Sequence, residues 1–119
     1  MTSQSQRAAQ KNADDSHRDS WQDIIDRRLI EWGLDPSQLE EDGLEAPSKF
    51  TISLAIGLAT AMRDTNSDPP SRVVPDAHGG IVFERDRGSV FESVHVFPDG
   101  KVEFAHFKDR RLVHRSPLI

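Results

Sequence analysis

The fold is decided by one stretch near the carboxyl end of the chain, Val94-His95-Val96-Phe97-Pro98-Asp99-Gly100-Lys101-Val102-Glu103-Phe104. Proline suits the second position of a type I turn, and glycine suits the left-handed residue that closes a three-residue hairpin loop. With that loop, Val96 lies opposite Val102 and Val94 lies opposite Phe104. Because alternate residues of a strand share a face, these four side chains point to one side of a half-buried sheet.

Short apolar runs around this hairpin predict an antiparallel meander, because the connections are too short for parallel crossovers. The predicted strands are Ile81–Arg85, Val90–Phe97, Val102–Phe107 and Arg111–Arg115, and Arg72–Pro75 is a short extended piece before them. A loop at Asp86–Ser89 and a tight turn at Lys108-Asp109 connect the outer strands. The predicted core face consists of Ile81, Phe83, Val94, Val96, Val102, Phe104 and Val113.

The first half of the chain predicts helices. Residues 1–19 have no apolar period, which predicts a disordered tail. Ser20 is predicted to cap a helix that ends at Gly33, and a short helix follows from Asp35-Pro36. A third, strongly apolar helix is predicted to begin at Pro47-Ser48, and Gly57 within it indicates close contact with a neighbouring element.

These elements form one predicted domain of α+β class over residues 20–119. Residues 20–64 are helical and residues 72–119 form the meander. The expected architecture is two main helices packed on one face of a four-stranded antiparallel sheet.

Composition excludes several classes of protein. Within 119 residues there is no cysteine, so a disulfide framework and a thiolate site are excluded. No apolar run approaches the roughly 20 residues that span a bilayer, and we expect a cytoplasmic protein without a membrane partner. The net charge is -5, with -6 on residues 1–71 and +1 on residues 72–119, which argues against general nucleic-acid binding. The sequence contains no catalytic or cofactor motif that we can defend.

One polar grouping in the predicted sheet could bind a metal. In the predicted register, His95, Glu103 and His114 form a row across three strands, on the face opposite the core. Two imidazoles and a carboxylate can bind zinc or a similar ion. A solvated polar row is the plainer interpretation, and a slip of one residue in either turn would separate the three side chains.

The same second face is also predicted to be too apolar for full solvation. Its apolar residues are Val82, Phe91, Phe97, Ala105, Phe107 and Leu112. Such a surface is typical of a binding site, so we expect a protein partner or a second copy to cover Phe91, Phe97 and Phe107, with Arg110 at the rim. A third hypothesis is a nucleic-acid-associated regulator that uses the basic residues near the carboxyl end.

The segment from Ala46 to Phe107 resembles a known group of proteins. Its features are the helix from Pro47-Ser48, the run Gly79-Gly80-Ile81-Val82-Phe83-Glu84 and the Pro98-Asp99-Gly100 turn. It is similar to short uncharacterised bacterial proteins of planctomycete type that join one helix to a small meander. Arg85 departs from the pattern, in which tryptophan often follows the glutamate. The group has no established activity, so the resemblance implies no functional residues.

Overall fold

The computed structural model describes residues 15–118, which form an α+β domain around one antiparallel sheet. Within these residues the sheet has five strands in sequential order, β1 (Arg72–Pro75), β2 (Ile81–Arg87), β3 (Val90–Val96), β4 (Val102–Lys108) and β5 (Arg111–Pro117). The strand in addition to the predicted four is β1, which pairs with β2 through contacts such as Val73 opposite Phe83.

Three helical elements precede the sheet in the described part of the chain. Helix α1 is α-helical over 15–24, π-helical over Ile25–Leu29 and α-helical again over Ile30–Leu34. Helices α2 and α3 comprise Ser37–Glu41 and Lys49–Asp64. The Ser48 hydroxyl accepts a hydrogen bond from the Thr51 amide at 3.2 Å, so the predicted start of α3 is confirmed.

The predicted start of the first helix is wrong. Residues 15–19 are already helical, and Ser20 donates its hydroxyl proton to the Ser16 carbonyl oxygen at 2.9 Å. Serine can make this bond to the preceding turn inside a helix, so its presence alone does not mark a helix start. The rest of the predicted tail, residues 1–14, lies outside the described residues.

The core lies between the helices and one face of the sheet. Trp21 and Leu29 of α1, Ala55 and Ala59 of α3, and the strand residues Ile81, Val96 and Val102 are almost completely buried. Full burial of a large apolar side chain stabilises the fold by roughly 1.5–3 kcal/mol, most of which is offset by the ordering of the chain. Gly57 does not make the predicted close contact, because a Cβ placed there would have no neighbour within 4 Å.

The β3–β4 register is the predicted one. Val96 pairs with Val102 and Val94 with Phe104. The Phe97 amide donates to the Lys101 carbonyl oxygen at 2.8 Å, and Gly100 has a φ of +91°. The three-residue loop is therefore confirmed, with Val96 fully buried and Phe104 half-buried.

The loop predicted at Asp86–Ser89 would place Ile81 opposite Val94, and the observed β2–β3 register differs from this prediction by two residues. The turn consists of Gly88 and Ser89 alone, and Gly88 has a φ of +79°, as glycine allows at the first position of a tight hairpin turn. Ile81 therefore pairs with Val96, and Phe83 pairs with Val94. An even shift leaves each side chain on its predicted face, so the core assignment of β2 survives.

The β4–β5 register was predicted incorrectly. Asp109 and Arg110 form the turn, both with positive φ, and Lys108 pairs with Arg111. A bulge between His106 and Phe107 shifts the rest of β5. The predicted Lys108-Asp109 turn would place Val113 opposite Phe104, but Ser116 lies there instead. The Val113 side chain is 61% exposed and is not part of the core.

Candidate functional site

The sheet face opposite the helices contains most of the predicted site residues, and we call it the open face. The helices pack on the other side, against Ile81, Phe83, Val96 and Val102. Strand alternation and the observed pairing place on the open face, among other residues, Val82, Phe91, His95, Phe97, Glu103, Ala105, Phe107, Leu112 and Arg115.

Phe91 and Phe107 form an aromatic pair on the open face. The pair lies at the end of the sheet where the β2–β3 and β4–β5 turns are. They are direct cross-strand partners, and their ring centroids lie 5.8 Å apart at an edge-to-face angle of 63°. Leu112 pairs with Phe107 and is 48% exposed. With Arg110 from the β4–β5 turn, the two phenylalanines line a depression of about 380 Å³. The structure thus brings three of the four predicted partner-binding residues together.

The fourth, Phe97, lies at the opposite end of the open face. Its ring stacks on the imidazole of His95, with centroids 3.9 Å apart and planes inclined by 18°. A second depression of about 510 Å³ lies between these rings and Phe107, with Glu103 and Arg115 also in its wall. Phe107 borders both depressions, so the apolar surface continues along the face.

The imidazole of His95, which stacks on Phe97, also forms a hydrogen bond with Asp76. The Nε2 atom of His95 lies 2.7 Å from Oδ2 of Asp76, while Oδ1 of Asp76 accepts hydrogen bonds from the amides of His78 and Gly80 at 2.8 and 2.7 Å. Burial alone would raise the pKa of Asp76, but the hydrogen bonds from His95, His78 and Gly80 outweigh it and lower that pKa. The carboxylate is therefore stabilised in its charged form.

The loop between β1 and β2 creates this contact. The Asp76 carboxylate accepts a hydrogen bond from the amide of His78, two residues further along the chain, which is the geometry of an Asx-turn. Gly80 has room for no side chain, because a Cβ there would overlap Oδ2 of Asp76 and lie 2.9 Å from the Val96 carbonyl oxygen. Asp76 was not predicted as a site residue. The Asp-x-His-Gly-Gly order signals the turn, but the contact with His95 depends on a strand nineteen residues away.

The predicted histidine row does not form. His95 and Glu103 are cross-strand partners, as predicted. His114, however, pairs with His106 and so lies on the helix side of the sheet, because the β4–β5 turn and the bulge shift β5. Within residues 15–118 no group of three histidine, aspartate or glutamate side chains is placed to hold one metal ion.

Arg115 lies on the open face opposite Ala105, and Pro117 takes the place opposite Glu103 that was predicted for His114. Neither Arg115 nor Arg110 forms an ion pair with any residue in the described part of the chain. The open face therefore combines half-buried aromatic rings and the exposed Leu112 with two cations that are free to contact a partner.

A smaller cavity of about 160 Å³ lies on the helix side of the sheet. Trp21, Phe83 and Phe104 form part of its wall, and Arg85 and Glu92 lie at its polar edge with 3.8 Å between Nη1 and Oε2. Pockets for small-molecule ligands are usually roughly 300–1,000 Å³. The open face is therefore the stronger candidate.

Comparisons with protein-family models, with curated proteins and with solved structures give no match for this chain. The resemblance to planctomycete-type proteins therefore stays a prediction. No helix within the described range is long and apolar enough to cross a membrane.

Proposed function

We propose that this chain is a small non-enzymatic regulatory protein that binds another polypeptide through its open face. The observation that supports this function is the pairing of Phe91 and Phe107 beside the exposed Leu112, bordered by Arg110 and Arg115. Aromatic residues and arginine are the types that protein interfaces favour.

The apolar area of the open face that remains in water is the driving force for association. Each additional square ångström of apolar surface removed from water stabilises a complex by about 25 cal/mol before the costs of association. Phe91, Phe97 and Phe107 are half-buried in the isolated chain, and Leu112 is more exposed. A partner that covers them gains hydrophobic free energy, and the two free arginines can orient its polar groups.

Capture from the native lysate with three forms of the protein tests this function. The bait proteins are the wild type, the double variant Phe91→Ser with Phe107→Ser, and Leu34→Ser. Leu34 is 81% exposed and lies in α1, on the helix side, so it is a matched control for losing an exposed apolar side chain. We expect one protein to be captured by the wild type and by Leu34→Ser but not by the double variant.

A second variant keeps the test valid if the double variant does not fold. Leu112→Glu places a charge at an exposed site of the open face, beside Phe107 on the edge strand, where the loss of stability should be small. Thermal unfolding followed by circular dichroism shows whether each variant is folded. Sedimentation of the pure protein distinguishes a foreign partner from a second copy. The proposal is wrong if every folded variant captures the same proteins, or if the wild type is monomeric and captures none.

A further inference from the structure

The two edges of the sheet differ in length and in charge. At one edge, β1 has four residues, ends in a proline without an amide hydrogen, and pairs Arg72 with Glu84 at 2.9 Å. At the other edge, β5 has seven residues, and no strand in the described part of the chain lies beyond it. It also ends in a proline, Pro117, and has one bulge, but the other six residues have backbone amides. An edge of that length offers a row of backbone donors and acceptors to another strand.

The β5 edge is also the basic part of an acidic protein. Residues 108–115 contain four basic side chains and one acidic one, a net of +3 in a chain of net -5. Lys108, Arg110, Arg111 and Arg115 form no ion pair with residues 15–118. Their charge is therefore available to a partner.

This charge determines which strand the edge can accept. A second copy of β5 would bring arginines beside arginines, and like charges on neighbouring strands destabilise pairing. An acidic strand would place its carboxylates beside Arg115 on the open face or, with its other face turned outward, beside Arg111 on the helix side. Leu112 and Val113, 48% and 61% exposed, offer apolar contacts to the same strand.

We propose that β5 accepts an acidic, extended segment of the partner protein as a sixth strand of the sheet. This inference rests on the proposed function, because the added strand would extend the open face next to Leu112. Main-chain hydrogen bonds would supply affinity and the arginines would select acidic sequences, as in other cases of strand addition.

A synthetic peptide that alternates glutamate and valine tests the proposal on the full chain, by calorimetry at low and high salt. We expect binding that weakens as salt is added, and no binding of the peptide that has lysine in place of glutamate.

Arg111→Glu combined with Arg115→Glu should weaken binding of the glutamate peptide by about tenfold or more. The matched control is Arg18→Glu with Arg28→Glu, the same charge change at exposed sites of α1, which should leave binding within about twofold of the wild type.

Backbone methylation separates strand addition from simple charge attraction. Two further peptides have N-methyl groups on alternate residues, in opposite phase, so that each lacks amide donors along one edge. Strand addition predicts that one of them binds and the other does not. Binding of both, or equal binding of a single-stranded oligonucleotide, would overturn the proposal in favour of a general anion site.

Peptide binding and capture from the lysate distinguish this proposal from the proposed function. If the glutamate peptide does not bind while capture still depends on Phe91 and Phe107, strand addition at β5 is wrong and the open face keeps its role. If capture is also independent of Phe91 and Phe107, both proposals are wrong.

Discussion

The imidazole of His95 in β3 and the carboxylate of Asp76 in the β1–β2 loop are joined at 2.7 Å, and the phenyl ring of Phe97 stacks on the same imidazole. This contact fixes the loop against one end of the open face. The Asp76 side chain is only 13% exposed, so water screens its interaction with His95 weakly. The orientation of the His95 ring at this end of the open face is thus set by contacts within the chain.

We expect Asp76→Asn to lower the free energy of unfolding at neutral pH by about 1–3 kcal/mol, because the charged acceptor for three hydrogen bonds is lost. The lowered pKa means that ionised Asp76 stabilises the fold fully above about pH 4, the ordinary pKa of an unfolded aspartate. That contribution is lost as the pH falls through the folded pKa. The gap between wild type and variant should therefore close in acid.

Urea unfolding across a pH series measures this gap. Asp99→Asn is the control, since Asp99 lies on an exposed turn, and it should change stability by less than about 0.5 kcal/mol at neutral pH. A gap that stays constant into strongly acidic solution would show that the charge of Asp76 does not stabilise the fold.

Two glycine substitutions should have opposite effects. Gly80→Ala forces a Cβ against the Asp76 carboxylate and the Val96 carbonyl oxygen, and overpacking of this kind costs about 1–3 kcal/mol. Gly57→Ala adds a methyl group on the outer side of α3, where no atom other than the helix's own backbone and the adjacent residues lies within 4 Å, and should stabilise the helix by up to about 1 kcal/mol. Thermal melting of both variants checks the pair, and stabilisation by Gly80→Ala would contradict the loop geometry.

The parts of the fold that the sequence predicted are set by residues close together in the chain, namely the turn residues and the alternation of side chains along a strand. The Pro98-Asp99-Gly100 turn specifies its loop length through the φ of two residues, so the pairing of Val96 with Val102 followed from the sequence. The face of each β2 residue was also predictable, although the turn length was wrong, because an even shift does not exchange faces.

The features that the sequence did not predict depend on unusual backbone conformations or on contacts between residues far apart in the chain. Asp109 and Arg110 both adopt positive φ, which arginine rarely does, and no glycine signals the turn. The following bulge inserts one residue, which moves His114 to the other face and brings Arg115 onto the open face. Asp76 reaches His95 only once the sheet has formed, so no local pattern could indicate this contact.

Trp21 should be the most sensitive position of the helix-to-sheet packing. Its side chain is 1% exposed, its ring centroid lies 6.2 Å from that of Phe83, and its Nε1 donates to the Ser67 carbonyl oxygen at 2.8 Å. We expect Trp21→Ala to cost about 3–5 kcal/mol in urea unfolding, because a large cavity forms. Leu34→Ala, at an 81% exposed site, should stay within about 0.5 kcal/mol of the wild type, and equal effects would contradict this packing.

Zinc should not stabilise the fold at neutral pH. A structural zinc site needs about four protein ligands, whereas the open face offers His95 and Glu103 as a pair, and Asp76 already occupies Nε2 of His95. Because His114 lies on the other face, His114→Ala should respond to zinc as the wild type does. Melting temperatures with and without zinc, for the wild type, His95→Ala and His114→Ala, test this expectation. A zinc-dependent rise that both substitutions abolish would require His114 to reach the open face, and with it a β4–β5 register without the bulge.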